Sequence, residues 1–404
     1  MTQYTDYIGS GTANVNTSGD YDTFALWIAA SGTATPTYST GDELRVVFQS
    51  SADGHNGNHP FGGNLRNIDD DVNLTVTLSS TNLTGSGPLN GALIMGGTSI
   101  GGNNDAFQFQ AKGEDKTISF NNLDIIVNDY RNMAFNVSIS SDAENPSKNL
   151  TVNMDNCRVG SPSDSGENGM LSCGSNNINN TGEQTFNFTN TIFTPRRRLL
   201  RQFPGGNSFE SHVTVNARAC SFFYGTNSFL CPNRDPDSSF RIHASGCIVH
   251  SFASINNFNG FVTAQQPGYT SGAAIDYITN EPDAVVDNWT TDKGGIKTNV
   301  SAPATFVYGI EPANGEIGFS GPTIGNSPYD LAGGTMDLRL WNSTNNAASG
   351  FVSNVTLPSP DLAGHDRGST PFDAGPYEIS FTTGGGGSSD TRPTFKIVQV
   401  NMYN

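Results

Sequence analysis

The segments ISFNNLDI (118–125), VNMDNCRV (152–159), FNFTNTIF (186–193), VNARACSF (215–222) and IHASGCIV (242–249) share one grammar. Their first column reads Ile118, Val152, Phe186, Val215, Ile242, and their third reads Phe120, Met154, Phe188, Ala217, Ala244. The fifth holds Asn122, Asn156, Asn190, Ala219 and Gly246, and the sixth Leu123, Cys157, Thr191, Cys220 and Cys247. The last column is again apolar: Ile125, Val159, Phe193, Phe222, Val249. An upstream segment, VTLSSTNL (76–83), obeys the same rule with Val76, Leu78 and Leu83.

Columns one and three lie two residues apart, so they share one face of a β-strand. Columns six and eight do the same for a second, shorter strand. Between them the spacing slips by one residue, which turns the chain around a corner. Asn and Gly suit that corner because both tolerate positive φ. Third-column residues follow one another at 42, 34, 34, 29 and 27 residues, a repeat with loops of variable length. A strand–corner–strand unit that stacks on its own copies is a solenoid. The expected fold is all-β: a right-handed parallel β-helix in which each coil covers the next.

Outward from this stretch the domain plan is simple. Residues 1–40 hold a Gly-, Thr- and Asn-rich opening without periodicity and then SGDYDTFALWIAASG. Tyr21, Phe24, Trp27 and Ile28 fall at helical spacing, Asp20 is placed to cap the helix and Gly32 to end it. The pattern predicts an N-terminal capping helix over 20–31, which would shield the open end of the solenoid. Residues 41–380 form the β-helix with loop insertions such as 51–64, 160–169 and 232–239. The repeat fades after Val249, 268–335 reads as irregular, and MDLRLWNSTNN (336–346) reads as one last coil. Residues 381–404 are a Gly-rich linker and a strand with Phe395 and Ile397 on one face and Val398, Val400 and Met402 on the other. Such a strand either adds to another chain's sheet edge or folds back on its own solenoid.

Both ends resemble a known group. The run YIGSG…SGDYDTFALWIAAS…GDELRVVF resembles the opening of β-helix proteins found in phages and in bacterial surface or prophage proteins. PDLAGHDRGSTPFDAGPYE (360–378) resembles the closing motif of many β-helix domains, carried here by Asp361, Gly364, Arg367, Asp373, Gly375, Tyr377 and Glu378. It departs at Pro376, where Ala is more usual. The resemblance spans roughly residues 4–380 and implies the pectate-lyase-like architecture. It also implies trimerisation along the solenoid. Function is less specified, since this fold hosts lyases, hydrolases, adhesins and virion parts.

Composition narrows the classes. The net charge of −17 argues against a nucleic-acid or anionic-membrane partner. No apolar run is long enough to span a bilayer, and the opening MTQYTDYIGSG has neither a basic n-region nor an apolar h-region, so no secretory signal is expected. Three of the five cysteines share one core column, which favours apolar filling by thiols over disulfides or zinc.

Glycan cleavage needs two carboxyl groups held across a bond. Asp69, Asp70, Asp71, Asp235 and Asp237 read as loop acids, and Asp124 and Asp155 as turn hydrogen-bonders near the corners. His55 and His59 are four apart in a Gly- and Asn-rich stretch without a third ligand. No catalytic, metal or cofactor site is therefore expected. Arg196, Arg197, Arg198 and Arg201 cluster in an otherwise acidic chain and read either as a contact for an acidic partner or glycan, or as a solvated loop. They and the tethered strand at Phe395, Ile397, Val398 and Val400 are the expected interfaces.

The leading expectation is a structural protein of a tailed-phage virion surface: a tail-fibre, tailspike-like or head-decoration subunit for assembly and host attachment. It would be made in the host cytoplasm and partnered by its own copies, by other virion proteins and by a host glycan. The alternatives are a polysaccharide lyase or hydrolase and a bacterial adhesin.

Overall fold

The computed structural model of the protein describes residues 2–8, 20–21, 39–48, 75–80, 92–96, 108–111, 115–127, 135–139, 148–161, 171–175, 182–195, 200–204, 212–224, 230–231, 239–251, 274–276, 285–286 and most of 305–320, 339–350 and 357–379. Among them every regular element is a strand. Three larger sheets contain ten, seven and five strands, and all their pairings are parallel.

The path through these sheets repeats. Lys116–Asn121 lies in the long sheet, Leu123–Val127 in the seven-stranded sheet and Phe135–Ile139 in the five-stranded sheet. The chain then returns to the long sheet as Leu150–Asp155, one strand further on, and makes the same circuit through Arg158–Ser161 and Leu171–Ser175. Glu183–Thr189, His212–Arg218 and Ser239–Ser245 begin the next three circuits.

The columns of the sequence are the paired residues. Val76, Ile118, Val152, Phe186, Val215 and Ile242 are successive partners, as are Leu78, Phe120, Met154, Phe188, Ala217 and Ala244. In the seven-stranded sheet Ile125, Val159, Phe193, Phe222 and Val249 are partners in the same way. Strand by strand, burial alternates between inward and outward residues. One row therefore covers the next, each large apolar side chain contributing about 1.5–3 kcal/mol on burial. Rings bind the two sheets across the interior: Phe188 and Phe193 lie 4.7 Å apart, and Phe193 stacks on Phe222 of the next coil at 5.3 Å.

The corner between the sheets is one residue in the left-handed region. Asn122, Asn156, Asn190, Ala219 and Gly246 have φ of 58°, 52°, 45°, 51° and 59°. Its N–H stays in the ladder: Asn122, Asn156, Asn190 and Ala219 each donate to the carbonyl just before the corner of the following coil, at 2.9–3.0 Å. The next residue fills the corner's interior, where Leu123, Cys157, Thr191, Cys220 and Cys247 are all fully buried. Cys157, Thr191, Cys220 and Cys247 each donate to the carbonyl two residues back. These three cysteines are thiols. Side chains in register on parallel strands sit about 4.8 Å apart, beyond the roughly 3.8 Å between Cβ atoms of a disulfide. Burial, with the Cys247 thiol beside it, pushes the Cys220 thiol well up.

Three expectations are corrected. Gln3–Ile8, read as aperiodic, is a strand paired with Glu43–Phe48. Asp6 occupies the row continued by Val46, so a buried acid there hides the apolar alternation. Asp20 does not cap a helix: Asp20–Tyr21 is extended and pairs with Tyr7 and Ile8. The rest of the 20–31 helix lies outside the described residues. Within 268–335, read as irregular, Ala274–Asp276 and Val285–Val286 add a strand to each of two sheets, additions that do not count against that reading. Only two or three residues pair there, too few for a visible column. Finally, Leu340 in the expected last coil makes an antiparallel bridge to Phe319 of the separate pair Thr305–Tyr308 and Glu316–Phe319.

Two substitutions probe this frame. Ala219 holds a left-handed backbone at a cost of about 1 kcal/mol, so Ala219→Gly is expected to raise stability by about that amount, read as a higher urea midpoint. Phe193→Ala empties the centre of the ring cluster and is expected to cost about 3–5 kcal/mol in the same measurement.

Candidate functional site

The outward face of the long sheet repeats as faithfully as its core. Arg45, Thr77, Ser119, Asn153, Asn187, Asn216 and His243 form the outward row between the two apolar columns. Their amides join coil to coil. Asn153 Nδ2 donates to Ser119 Oγ at 3.0 Å, Asn187 Nδ2 to Asn153 Oδ1 at 2.9 Å, and Asn216 Nδ2 to Asn187 Oδ1 at 2.8 Å. A second row, two residues on, reads Asn121, Asp155, Thr189, Arg218 and Ser245.

Between these rows, over the last three coils, runs a groove of about 440 Å³. Asn187, Asn216 and His243 line one side, and Thr189, Arg218 and Ser245 the other. Phe188 and Ala217 line it too, and because their side chains are buried, they present backbone. Arg218 is exposed and has no ion-pair partner among the described residues. Arg45, at the other end of the amide row, has Glu43 Oε1 at 2.9 Å.

The closing motif borders this groove. Pro360, Arg367 and Gly375 lie against the corner column of the same coils. Asn190 Nδ2 donates to the Pro360 carbonyl at 2.9 Å, and Arg367 Nη2 donates to Asn190 Oδ1 at 3.1 Å. The Gly375 N–H donates to the Gly246 carbonyl at 2.7 Å. Gly375 has φ of 89°, and a Cβ there would come within 2.8 Å of Ile248. Only glycine lets this segment approach so closely.

Arg367 organises the motif from inside. Its side chain is fully buried, with Nη1 2.8 Å from Glu378 Oε2, Nη2 donating to the Gly375 carbonyl and Nε to the Pro358 carbonyl. Asp361 accepts from the Glu378 N–H at 2.7 Å, and Asp373 from the Gly350 and Ile379 N–H groups at 2.6 and 2.5 Å. Burial, then the charge of Asp373, pushes Glu378 up to about 7 against the opposing pull of Arg367. Burial raises Asp373 as well.

The remaining candidates are not brought together among the described residues. Arg196, Arg197 and Arg198, and the strand at Phe395, Ile397, Val398 and Val400, lie outside the described residues. Arg201 falls in Leu200–Pro204, in register with Ser172 and Cys231 in the five-stranded sheet. His55, His59, Asp69, Asp70, Asp71, Asp235 and Asp237 are also outside the described residues. Asp124 lies in Leu123–Val127, opposite Arg158. Asp155 is half-buried, and burial raises its carboxyl. Its row neighbours are Asn121 and Thr189, so that row brings it no second carboxylate on either adjacent coil. Among the described residues no group of three or more His, Cys, Asp and Glu is placed to hold a metal, and no helix is long and apolar enough to cross a membrane.

The outward amide row and its groove were not foreseen. Ser119, Asn153, Asn187, Asn216 and His243 are the second letters of the five quoted segments, and three asparagines in that column were the available signal.

The raised carboxyl of Glu378 sets a direction for pH dependence. The folded state favours its protonated form, whereas the unfolded chain ionises it near the ordinary glutamate value of 4.5. The stability this group contributes is thus fully present below about pH 4.5 and is lost as pH rises through about 7. Glu378→Gln keeps an acceptor for Arg367 and is expected to flatten the fall in melting temperature between pH 5 and pH 8. An unchanged slope would show that the titration lies elsewhere.

Comparison of the chain with family models, with curated proteins and with solved structures finds no match.

Proposed function

We propose that the chain is a right-handed parallel β-helix closed by its C-terminal motif. In this reading it serves as a surface subunit of a tailed-phage virion, a tail-fibre, tailspike-like or head-decoration protein for assembly and host attachment. The observation that carries the reading is the register-matched repeat of one circuit through three parallel sheets. Stacked coils of this kind make a stiff carrier whose outward rows can be varied without touching the core. The opening and closing motifs, with their resemblance to phage-borne β-helix proteins, supply the virion context. The net charge of −17 gives such a surface mutual repulsion from other particles.

The partners proposed are further copies of the chain, with a trimer as the assembly, other virion proteins, and a glycan of the host surface. Immuno-electron microscopy of phage particles with antibody to the purified chain tests the assignment. Label on the tail or the head surface is the expected outcome, and particles without label would refute it. Sedimentation of the purified chain at neutral pH is expected to give a trimer, and a monomer would remove the trimer from the proposal.

A further inference from the structure

The groove over the last three coils of the amide row has the features of a binding site, and its chemistry restricts the ligand. Its floor at Phe188 and Ala217 is the backbone of two central strands, whose N–H and C=O groups are committed to the strands on either side. Along Phe188 and Ala217 an extended peptide therefore finds no ladder to join. The net charge of −17 opposes a densely phosphorylated polymer. What the walls offer is two side-chain amides, an imidazole and the Thr189 hydroxyl, with one exposed guanidinium; Ser245 is buried. That is a lining for many hydroxyl groups and a single acid.

The spacing agrees with this chemistry. Asn187, Asn216 and His243 stand on successive coils, about 4.8 Å apart, close to the advance of a saccharide chain per pyranose ring. At about 440 Å³ the groove has room for two or three rings. Asn187 and Asn216 are pre-organised, since the ladder bonds at 2.9 and 2.8 Å hold their amide planes in place. Arg218 stands across the groove, and among the described residues it has no carboxylate contact of the kind that engages Arg45.

We propose that this groove binds an anionic saccharide segment lying along the stack of coils, with its acid group on Arg218 and its hydroxyls on Asn187, Asn216 and His243. The site rests on the reading of the chain as a glycan-attaching protein and names the class of glycan. Calorimetry with the full chain tests it, using two acidic probes, hyaluronan tetrasaccharide and sialyllactose, beside their neutral counterparts, chitotetraose and lactose. At least one acidic probe is expected to bind about tenfold or more tightly than its neutral partner and to weaken as salt rises.

Arg218→Ala is expected to abolish that preference and Arg218→Lys to restore part of it, both with unchanged melting temperatures, and Asn216→Ala, which also gives up its ladder bond to Asn187, to weaken binding severalfold. Equal affinity for acidic and neutral probes, no saturable binding of either acidic probe, or a preference that survives Arg218→Ala would each overturn the proposal. Microscopy of particles reads the virion assignment separately. A chain missing from particles that still prefers the acidic probe keeps this site, and a particle-bound chain without the preference loses it.

Discussion

Each coil depends on a single backbone decision at its corner. One residue must take positive φ so that an inward-facing strand of the long sheet is followed, three residues later, by an inward-facing strand of the next. In an extended chain side chains alternate, so without the left-handed residue the second strand would show its apolar face to water. Asn or Gly at four of the five described corners meets this need locally, and Ala219 meets it under strain. Because the corner N–H still bonds to the next coil, the turn does not break the ladder. The core is therefore a consequence of the corner as much as of the apolar residues that fill it.

The same constraint makes inside and outside separately variable. Inward rows are matched by volume: Phe186 and Phe188 sit between Val152 and Met154 on one side and Val215 and Ala217 on the other. Outward rows are matched by hydrogen bonding, and the amide ladder satisfies Asn153, Asn187 and Asn216 from their neighbours in the stack. A change on one face leaves the other in register, which is how one architecture carries unrelated surfaces.

The columns were legible because every row repeats a side-chain type at a period the eye can align, and the corner was legible because Asn and Gly have a steric reason to be there. Gln3–Ile8 was not, since Asp6 stands where an apolar residue would announce the strand. Ala274–Asp276 was too short to carry a period. The residues of the closing motif could be named from resemblance, but their arrangement about Arg367 could not. It depends on Asn190, which lies 177 residues away and already has a role as a corner. The groove was illegible for a different reason: Thr189, Arg218 and Ser245 share no side-chain type, and only pairing in register brings them together.

The contact between Arg367 and Asn190 has a topological consequence. Consecutive coils touch at separations of about thirty residues, so a bare stack behaves as a one-dimensional chain of neighbours that frays from its exposed end. Tying Pro360, Arg367 and Gly375 back to the corners at Asn190 and Gly246 closes the intervening chain into a loop. The tied coils then cannot peel away one at a time, because the first to leave must break the tie that also holds those behind it. The entropy of closing so long a loop grows only with the logarithm of its length. A few buried bonds about one guanidinium thus convert a stack with a loose end into a cooperative unit.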